Sequence, residues 1–265
     1  MNRLLKNYLI ARAGKNEYQQ LFEELHYLAL LGMNIGGGES TEYSGEKFVL
    51  EHINRQLQKA AKLMVFDVGA NVGNYSMLAN KILKERASIF AFEPSARTFK
   101  KLVRNTENMS NIRHFPFGFG NENTSLALFS NAHESGLASV YKRRLDHFNI
   151  NMNIKEEIEI KTIDDFCFEN AINHIHFLKI DAEGHELKIL EGAKQMMTSG
   201  NIDFIQFEFG GCNIDSRTYF QDFYYYLNNN FTISRILKDG LFKIIKYKEM
   251  YEAFTTTNFL AELKR

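Results

Sequence analysis

The stretch VFDVGANVGNYS, residues 65–76, ends an apolar run with an acid, passes two glycines and enters a helical pattern. Asp67, Gly69 and Gly73 stand in the spacing D-x-G-x-x-x-G. A strand that turns tightly into a helix in this way lets a ligand approach backbone N–H groups at the helix N-terminus. The G-x-G-x-x-G spacing of a pyrophosphate turn is absent, which argues against a nicotinamide-dependent dehydrogenase. An acid at the strand end repels a pyrophosphate but accepts hydrogen bonds from an ammonium group. Twenty residues past Gly73, Glu93 closes the next apolar run in AFEP. A carboxylate at the tip of a second strand is placed to bind both ribose hydroxyls. The ligand so described has an ammonium group and a ribose but no pyrophosphate, a description that S-adenosylmethionine (SAM) fits. Asp67 as a helix cap and Glu93 as a surface acid are the plainer alternatives.

Methyl transfer from a sulfonium is an in-line displacement, and a hydroxyl acceptor must lose its proton as it attacks. Groups able to assist belong at strand tips beside the methionine end of the ligand. Asp181 ends FLKID and is followed by Glu183, His185 and Glu186, while Glu208 stands near the end of FIQFEF on the next strand. Asp181 can serve as base, bind the SAM amino group or cap a helix. Glu183 is a substrate or metal ligand, or else a cap. His185 has basicity suited to proton transfer but can equally face solvent. Glu208 sits between aromatics, where an unpaired charge is costly, so it is either functional or salt-bridged. His133, in the loop NAHESGLAS, is a further candidate base, with a solvated loop histidine as the alternative. Asp181, Glu183 and Glu208 together offer an oxygen set for Mg²⁺ if they converge.

These residues need a scaffold that brings strand tips together. From residue 63 short apolar runs alternate with amphipathic stretches, which is the pattern of βαβ units on a parallel sheet. Between Gly120 and Thr162 no helix is evident; TSLALFS, GLASVY and EEIEIKT read as strands. Beyond Asn230, FTISRILKDGLFKIIKYKE reads as an antiparallel hairpin around Lys238-Asp239-Gly240. The expected fold is α/β, a doubly wound and mostly parallel sheet ending in an antiparallel hairpin. An N-terminal helical cap with a glycine-rich loop (1–62) precedes the SAM-binding domain (63–265). Residues 1–31 read as helix packed on the body. In YFQDFYYYLNN, Tyr219, Phe223 and Tyr226 fall on one helical face, better read as core than as a sugar platform.

The chain has 265 residues, 45% apolar, enough for one ordinary core. Its 32 basic and 32 acidic residues balance, so electrostatics gives no case for nucleic acid or an anionic membrane as partner. Cys167 and Cys212 lie far apart without a CxxC spacing, which suits free thiols in a reducing cytoplasm. No apolar run approaches the roughly 18 residues of a membrane span.

VFDVGANVGNYS, FEP and LKIDAEGHELKILEGA together resemble the FkbM family of SAM-dependent methyltransferases, as does TIDDF before the fourth strand. The resemblance spans about residues 63–210, and the third motif is its specific part. It implies a class I methyltransferase in which Asp67, Gly69, Asn71 and Gly73, with Asn74 beside them, surround the methionine end of SAM. Glu93 matches the ribose-binding acid, and Gly118, Gly120 and Asn121 match a turn bordering the adenine. Gly45-Glu46 is similar to a GE that members carry ahead of the first strand. The loop GMNIGGGESTEYSGE, with Glu39, Glu42 and Glu46, is expected to contribute acceptor contacts. By the same resemblance the expected reaction is O-methylation of a sugar or glycan-precursor hydroxyl, possible on a nucleotide-linked acceptor, with a homodimer common for such folds. An amine or protein N-methyltransferase, a macrolide-type O-methyltransferase and an inactive SAM-binding module are the rivals.

Overall fold

The computed structural model describes residues 3–36 and 44–265. Among these, the body is an eight-stranded sheet. Five parallel strands come first: β1 (Leu63–Val68), β2 (Ala87–Phe92), β3 (Ile112–Phe115), β7 (Ile175–Ile180) and β8 (Ile202–Phe209). They lie in the order β3-β2-β1-β7-β8, so the chain reverses direction of winding at β1. Open α/β sheets bind ligands at such a reversal, beyond the C-terminal strand ends. β1, β2 and β7 share one burial pattern, with almost every residue buried, because helices cover both faces of a parallel sheet.

Alternate strand residues feed two cores. Leu63 and Val65 join one face with Tyr75, Phe177 and Ile53. Phe66 and Val68 join the other, which is dominated by phenyl rings. Phe166, from α6 (Ile163–Glu169), sits at the centre of that second core. Its ring lies 5.1–6.3 Å from those of Phe66, Phe90, Phe92, Phe115, Phe117 and Phe119. The 23 phenylalanines of the chain are thus largely packing residues rather than ligand platforms. Thr162 accepts a hydrogen bond from the Asp165 N–H and so starts α6 directly after the preceding strand.

The antiparallel end is richer than a hairpin. β9 (Phe231–Ile236) and β10 (Leu241–Lys243) form the expected pair, closed by the Leu237 N–H donating to Gly240 O. A strand without an obvious sequence signal, β11 (Thr257–Leu263), then inserts between β8 and β9, antiparallel to both. Between β3 and α6 a small second sheet forms from β4 (Gly118–Phe119), β5 (Thr124–Ser130) and β6 (Ile154–Lys161). GLASVY contributes one bridge, Phe129 to Ser139, rather than a strand.

The first residues do not form one packed layer. α1 (Arg3–Ile10) and α2 (Gln19–Gly32) bury no residue, whereas α3 (Glu46–Gln56) inserts Val49, Leu50 and Ile53 into the sheet's core. Gly45 caps α3 at φ +83°, and a Cβ there would lie 2.3 Å from the Leu237 carbonyl oxygen. α10 (Phe220–Leu227) buries Phe220, Phe223 and Leu227; Tyr219 is half exposed, so the packed stripe starts one residue later than its spacing predicts.

Candidate active site

A cleft opens at the C-terminal ends of β1, β2 and β7, where winding reverses. One wall carries Gly69, Asn71 and Glu93; the opposite wall carries Asp181, Glu183 and His185. An apolar side comes from the small sheet, through Leu128, Ile158 and Ile160, with Gly118 and Phe119 below.

The β1 loop serves Glu93 more than it serves as a donor cradle. The Gly69 and Ala70 N–H groups both donate to the Phe92 carbonyl, at 3.0 and 2.9 Å, so they are not free for a ligand as the glycine pattern suggests. The Asn71 N–H donates to Glu93 Oε2 at 3.0 Å and the Ser95 N–H to Oε1 at 2.9 Å. Each carboxylate oxygen keeps a second lone pair for a ribose hydroxyl, and the side chain cannot rotate away. Glu93 is 7% exposed, and this burial lifts its carboxyl to about 7. Asn71, at φ +48°, lines the cleft and keeps its buried Oδ1 without a hydrogen-bond partner. Gly69 is required by crowding: a Cβ would lie 1.8 Å from the Asp181 carbonyl oxygen, at φ +78°.

Asp67 does not reach the cleft. It is fully buried, accepts a 2.6 Å hydrogen bond from Ser76 Oγ and lies 3.6 Å from Lys179 Nζ. Lys179 also donates to Asp181 at 3.1 Å and rests over the Tyr75 ring. Burial opposes its charge, but Asp181, Asp67 and Glu46 outweigh that and hold it firmly protonated. Sequence reasoning passed over Lys179 although it stands in FLKID. A lysine in an apolar strand, two residues before a site acid and so on the same face, is the signal. Glu46, bonded to Ser44 Oγ at 3.1 Å, belongs to the same electrostatic group, and burial raises its carboxyl. Glu39 and Glu42 lie outside the described residues.

At the β7 tip the backbone turns through Glu183 at φ +48° and Gly184 at φ +104°. Glu186 shapes this turn, its Oε1 accepting from the Ala182 and Gly184 N–H groups at 2.9 and 3.0 Å. Glu183 pairs with Arg143 at 2.5 Å, an arginine that no sequence motif marks. Burial and the charge of Asp181 still raise the Glu183 carboxyl to about 8. Glu208 stands next to last in β8 nearby, and oxygens of Asp181, Glu183 and Glu208 lie within 4.8 Å of one another. Desolvation and those two acids push Glu208 well above the usual carboxylate range. The set has the oxygen chemistry of a Mg²⁺ site. Two of its members, however, already carry a cation, Lys179 on Asp181 and Arg143 on Glu183.

His185 is 8% exposed, with Nδ1 3.2 Å from the Tyr141 hydroxyl, and burial lowers its basicity to a pKa of about 4. It is a neutral hydrogen-bonding group on the cleft wall, neither solvent-facing nor a strong base. Gly120 leaves room for it, since a Cβ there would lie 3.0 Å from its Nε2. His133 is exposed and does not line the cleft; its loop supplies Ser135 and Gly136 instead. Asn121 and Asn74 are exposed outside the cleft lining. Gly73 caps α4 (Asn74–Leu83) in the left-handed region and packs against Leu102 and Thr106, so it serves helix packing.

Comparison with known proteins identifies the family. The family model described as the methyltransferase FkbM domain matches residues 67–232. Methyltransferase 1 of Beauveria bassiana is 27% identical over 48% of this chain and 57% of its own length. Hexuronic acid methyltransferase AglP of Haloferax volcanii is 24% identical over 56% of each chain. The 2-O-methyltransferase NoeI of Sinorhizobium fredii is 20% identical over 54% of this chain and 63% of its own. The chain thus spans between about half and two-thirds of the length of these relatives. Among solved structures it is similar to an FkbM methyltransferase from Methylobacillus flagellatus KT. The TM-score is 0.47 at 16% identity, over 76% of this chain and 44% of that one. With the family model covering the strands, the turn and the acids just described, the chain belongs to the FkbM methyltransferase family.

Proposed function

We propose that this SAM-dependent methyltransferase transfers its methyl group to a hydroxyl of a sugar or glycan precursor, on a small or nucleotide-linked acceptor. The observation that carries the reading is the position of Glu208, a desolvated carboxyl in no salt bridge among the described residues, near the end of β8 with an oxygen within 4.8 Å of those of Asp181 and Glu183. A hydroxyl acceptor needs such a base, and the burial that raises this carboxyl makes its carboxylate a stronger one. Two relatives, one named for hexuronic acid and one for a 2-O position, support a sugar hydroxyl.

SAM supplies an electrophilic methyl on a sulfonium, and the chain's residues supply the rest. Glu93 is held ready for the ribose hydroxyls, with Asn71 beside it in the cleft wall. The apolar side formed by Leu128, Ile158 and Ile160 suits the adenine. Asp181, paired with Lys179, accepts from the SAM amino group. Lys179 is shared by Asp67 and Asp181 and Arg143 by Glu183 and Asp215, so the acids outnumber these two cations. The net positive charge of SAM adds a third cation, and this scheme routes no step through a divalent ion. Buried free Cys167 and Cys212 fit a cytoplasmic setting, which forms part of the same proposal; among the described residues no helix is long and apolar enough to cross a membrane.

The test is S-adenosylhomocysteine release with a panel of sugars and nucleotide sugars, with and without EDTA. The expected result is turnover of a sugar hydroxyl that EDTA leaves unchanged. Turnover of amines alone would overturn the acceptor assignment, and loss with EDTA would overturn the charge scheme.

A further inference from the structure

A second cleft lies beyond the Glu183–Arg143 pair, bounded by residues 143–148, by α9 (Cys212–Ser216) and by Thr255 and Thr256. Arg143 lines this cleft and holds Glu183, which lines the first. Its side chain is 9% exposed, its Nη1 holds Glu183, and its buried Nε, 3.9 Å from Asp215 Oδ2, has no hydrogen-bond partner. Arg144 and Arg217 also line the second cleft and are exposed. Among the described residues neither guanidinium has an acidic partner; of Arg144 only the backbone N–H is engaged, by Asp215 Oδ1 at 3.3 Å. The acids facing them are Asp146 and Asp215. Asp215 is already spent on Arg143 and on the Arg144 backbone, so two free guanidinium groups stand against Asp146. Phe148, 65% exposed, adds an apolar ring to the same wall.

We propose that this cleft holds an oxyanion of the methyl acceptor, a carboxylate or a phosphate borne by the sugar, clamped by Arg144 and Arg217. The sugar ring lies against Phe148, and its hydroxyl turns toward Glu183 in the first cleft and Glu208 beside it. Guanidinium forks pair in planar, two-point fashion with both anions, and an exposed aromatic beside them suits the C–H face of a pyranose. The inference rests on the methyl-transfer reading of the first cleft and adds the charge of the acceptor.

The test is calorimetric titration of the full chain, saturated with S-adenosylhomocysteine, using methyl glucuronide, glucose 1-phosphate and methyl glucoside as probes. At least one anionic probe should bind about tenfold or more tightly than the neutral glucoside, and the stronger of the two identifies the source of the anion. The R144Q/R217Q variant should lose about tenfold or more of that affinity while binding S-adenosylhomocysteine as before. In the wild type, added salt should weaken the anionic probe and leave the glucoside unaffected. Equal binding of the glucoside, no binding of either anionic probe, or salt-independent binding would overturn the proposal. So would undiminished binding in R144Q/R217Q. Failure of the wild type to bind S-adenosylhomocysteine would strike the methyl-transfer reading itself.

Discussion

Asp67 and Lys179 face each other in register across the β1–β7 ladder, with Lys179 Nζ 3.6 Å from Asp67 Oδ1. Both are buried in the sheet itself, and the ammonium reaches on to Asp181 at the cleft. The acid that begins the glycine motif is therefore a counter-charge that fixes the lysine, and the lysine fixes the site acid. Removing one member of a buried ion group leaves the others uncompensated, which costs far more than the group contributes when whole. Lys179→Met should lower stability by about 3–5 kcal/mol in denaturant unfolding. A Lys179→Met/Asp67→Asn pair should recover part of that loss. An additive double variant would show that the two residues do not act together.

Burial raises the carboxyls of Glu93 and Glu186 to about 7 and that of Glu183 to about 8. Their folded-state values exceed the unfolded ones, so the folded protein binds more protons than the unfolded chain up to about pH 8. Stability then falls as pH rises. His185, lowered to about 4, acts in the opposite sense, but only below its ordinary value of 6.5. From about pH 6.5 to about pH 8 the acids act alone, and the urea midpoint of the SAM-free protein should fall across that window. Glu183→Gln should flatten the fall. A midpoint that rises over this range would contradict the assigned burial.

Gly69 stands where β1 and β7 tips nearly touch, and the obstructing atom is a backbone oxygen that cannot swing aside. Gly69→Ala should cost at least about 2 kcal/mol and weaken SAM binding as the tips part. Gly32 ends α2 with open space around it, so Gly32→Ala should be neutral or stabilising by up to about 1 kcal/mol. Equal effects at the two positions would refute the crowding explanation.

Glu208→Gln keeps the shape of the side chain and removes its basicity. With a hydroxyl acceptor, kcat should fall by about 10²–10⁴-fold while KM changes little. An amine acceptor would arrive neutral and need no base, so an unaffected kcat would point to nitrogen methylation.

Hydrophobic alternation made β1, β2, β7 and β8 legible, because parallel strands buried on both faces leave near-continuous apolar runs. The hairpin was legible from Lys238-Asp239-Gly240. β11 was not: the place of TNFLAEL between β8 and β9 is set by pairing across the sheet, which no local pattern records. At the site, Gly69, Asn71, Glu93, Gly118, Asp181, Glu183 and His185 do line the cleft. Asp67 and Gly73 sit in the motif but serve an ion group and helix packing, because spacing reports backbone geometry and not where a side chain points. Arg143 was invisible, as it meets Glu183 only through folding of a loop forty residues away. Lys179 was visible in FLKID and was overlooked, since a buried lysine matters only once its acids are placed around it.

The most direct test of the account is calorimetric titration of SAM into the wild type and Glu93→Ala. The wild type should bind in the micromolar range, and the variant roughly 5- to 150-fold more weakly, as for a lost charge-assisted pair worth about 1–3 kcal/mol. An unchanged affinity in Glu93→Ala, or no binding by the wild type, would contradict the assignment of this cleft to SAM.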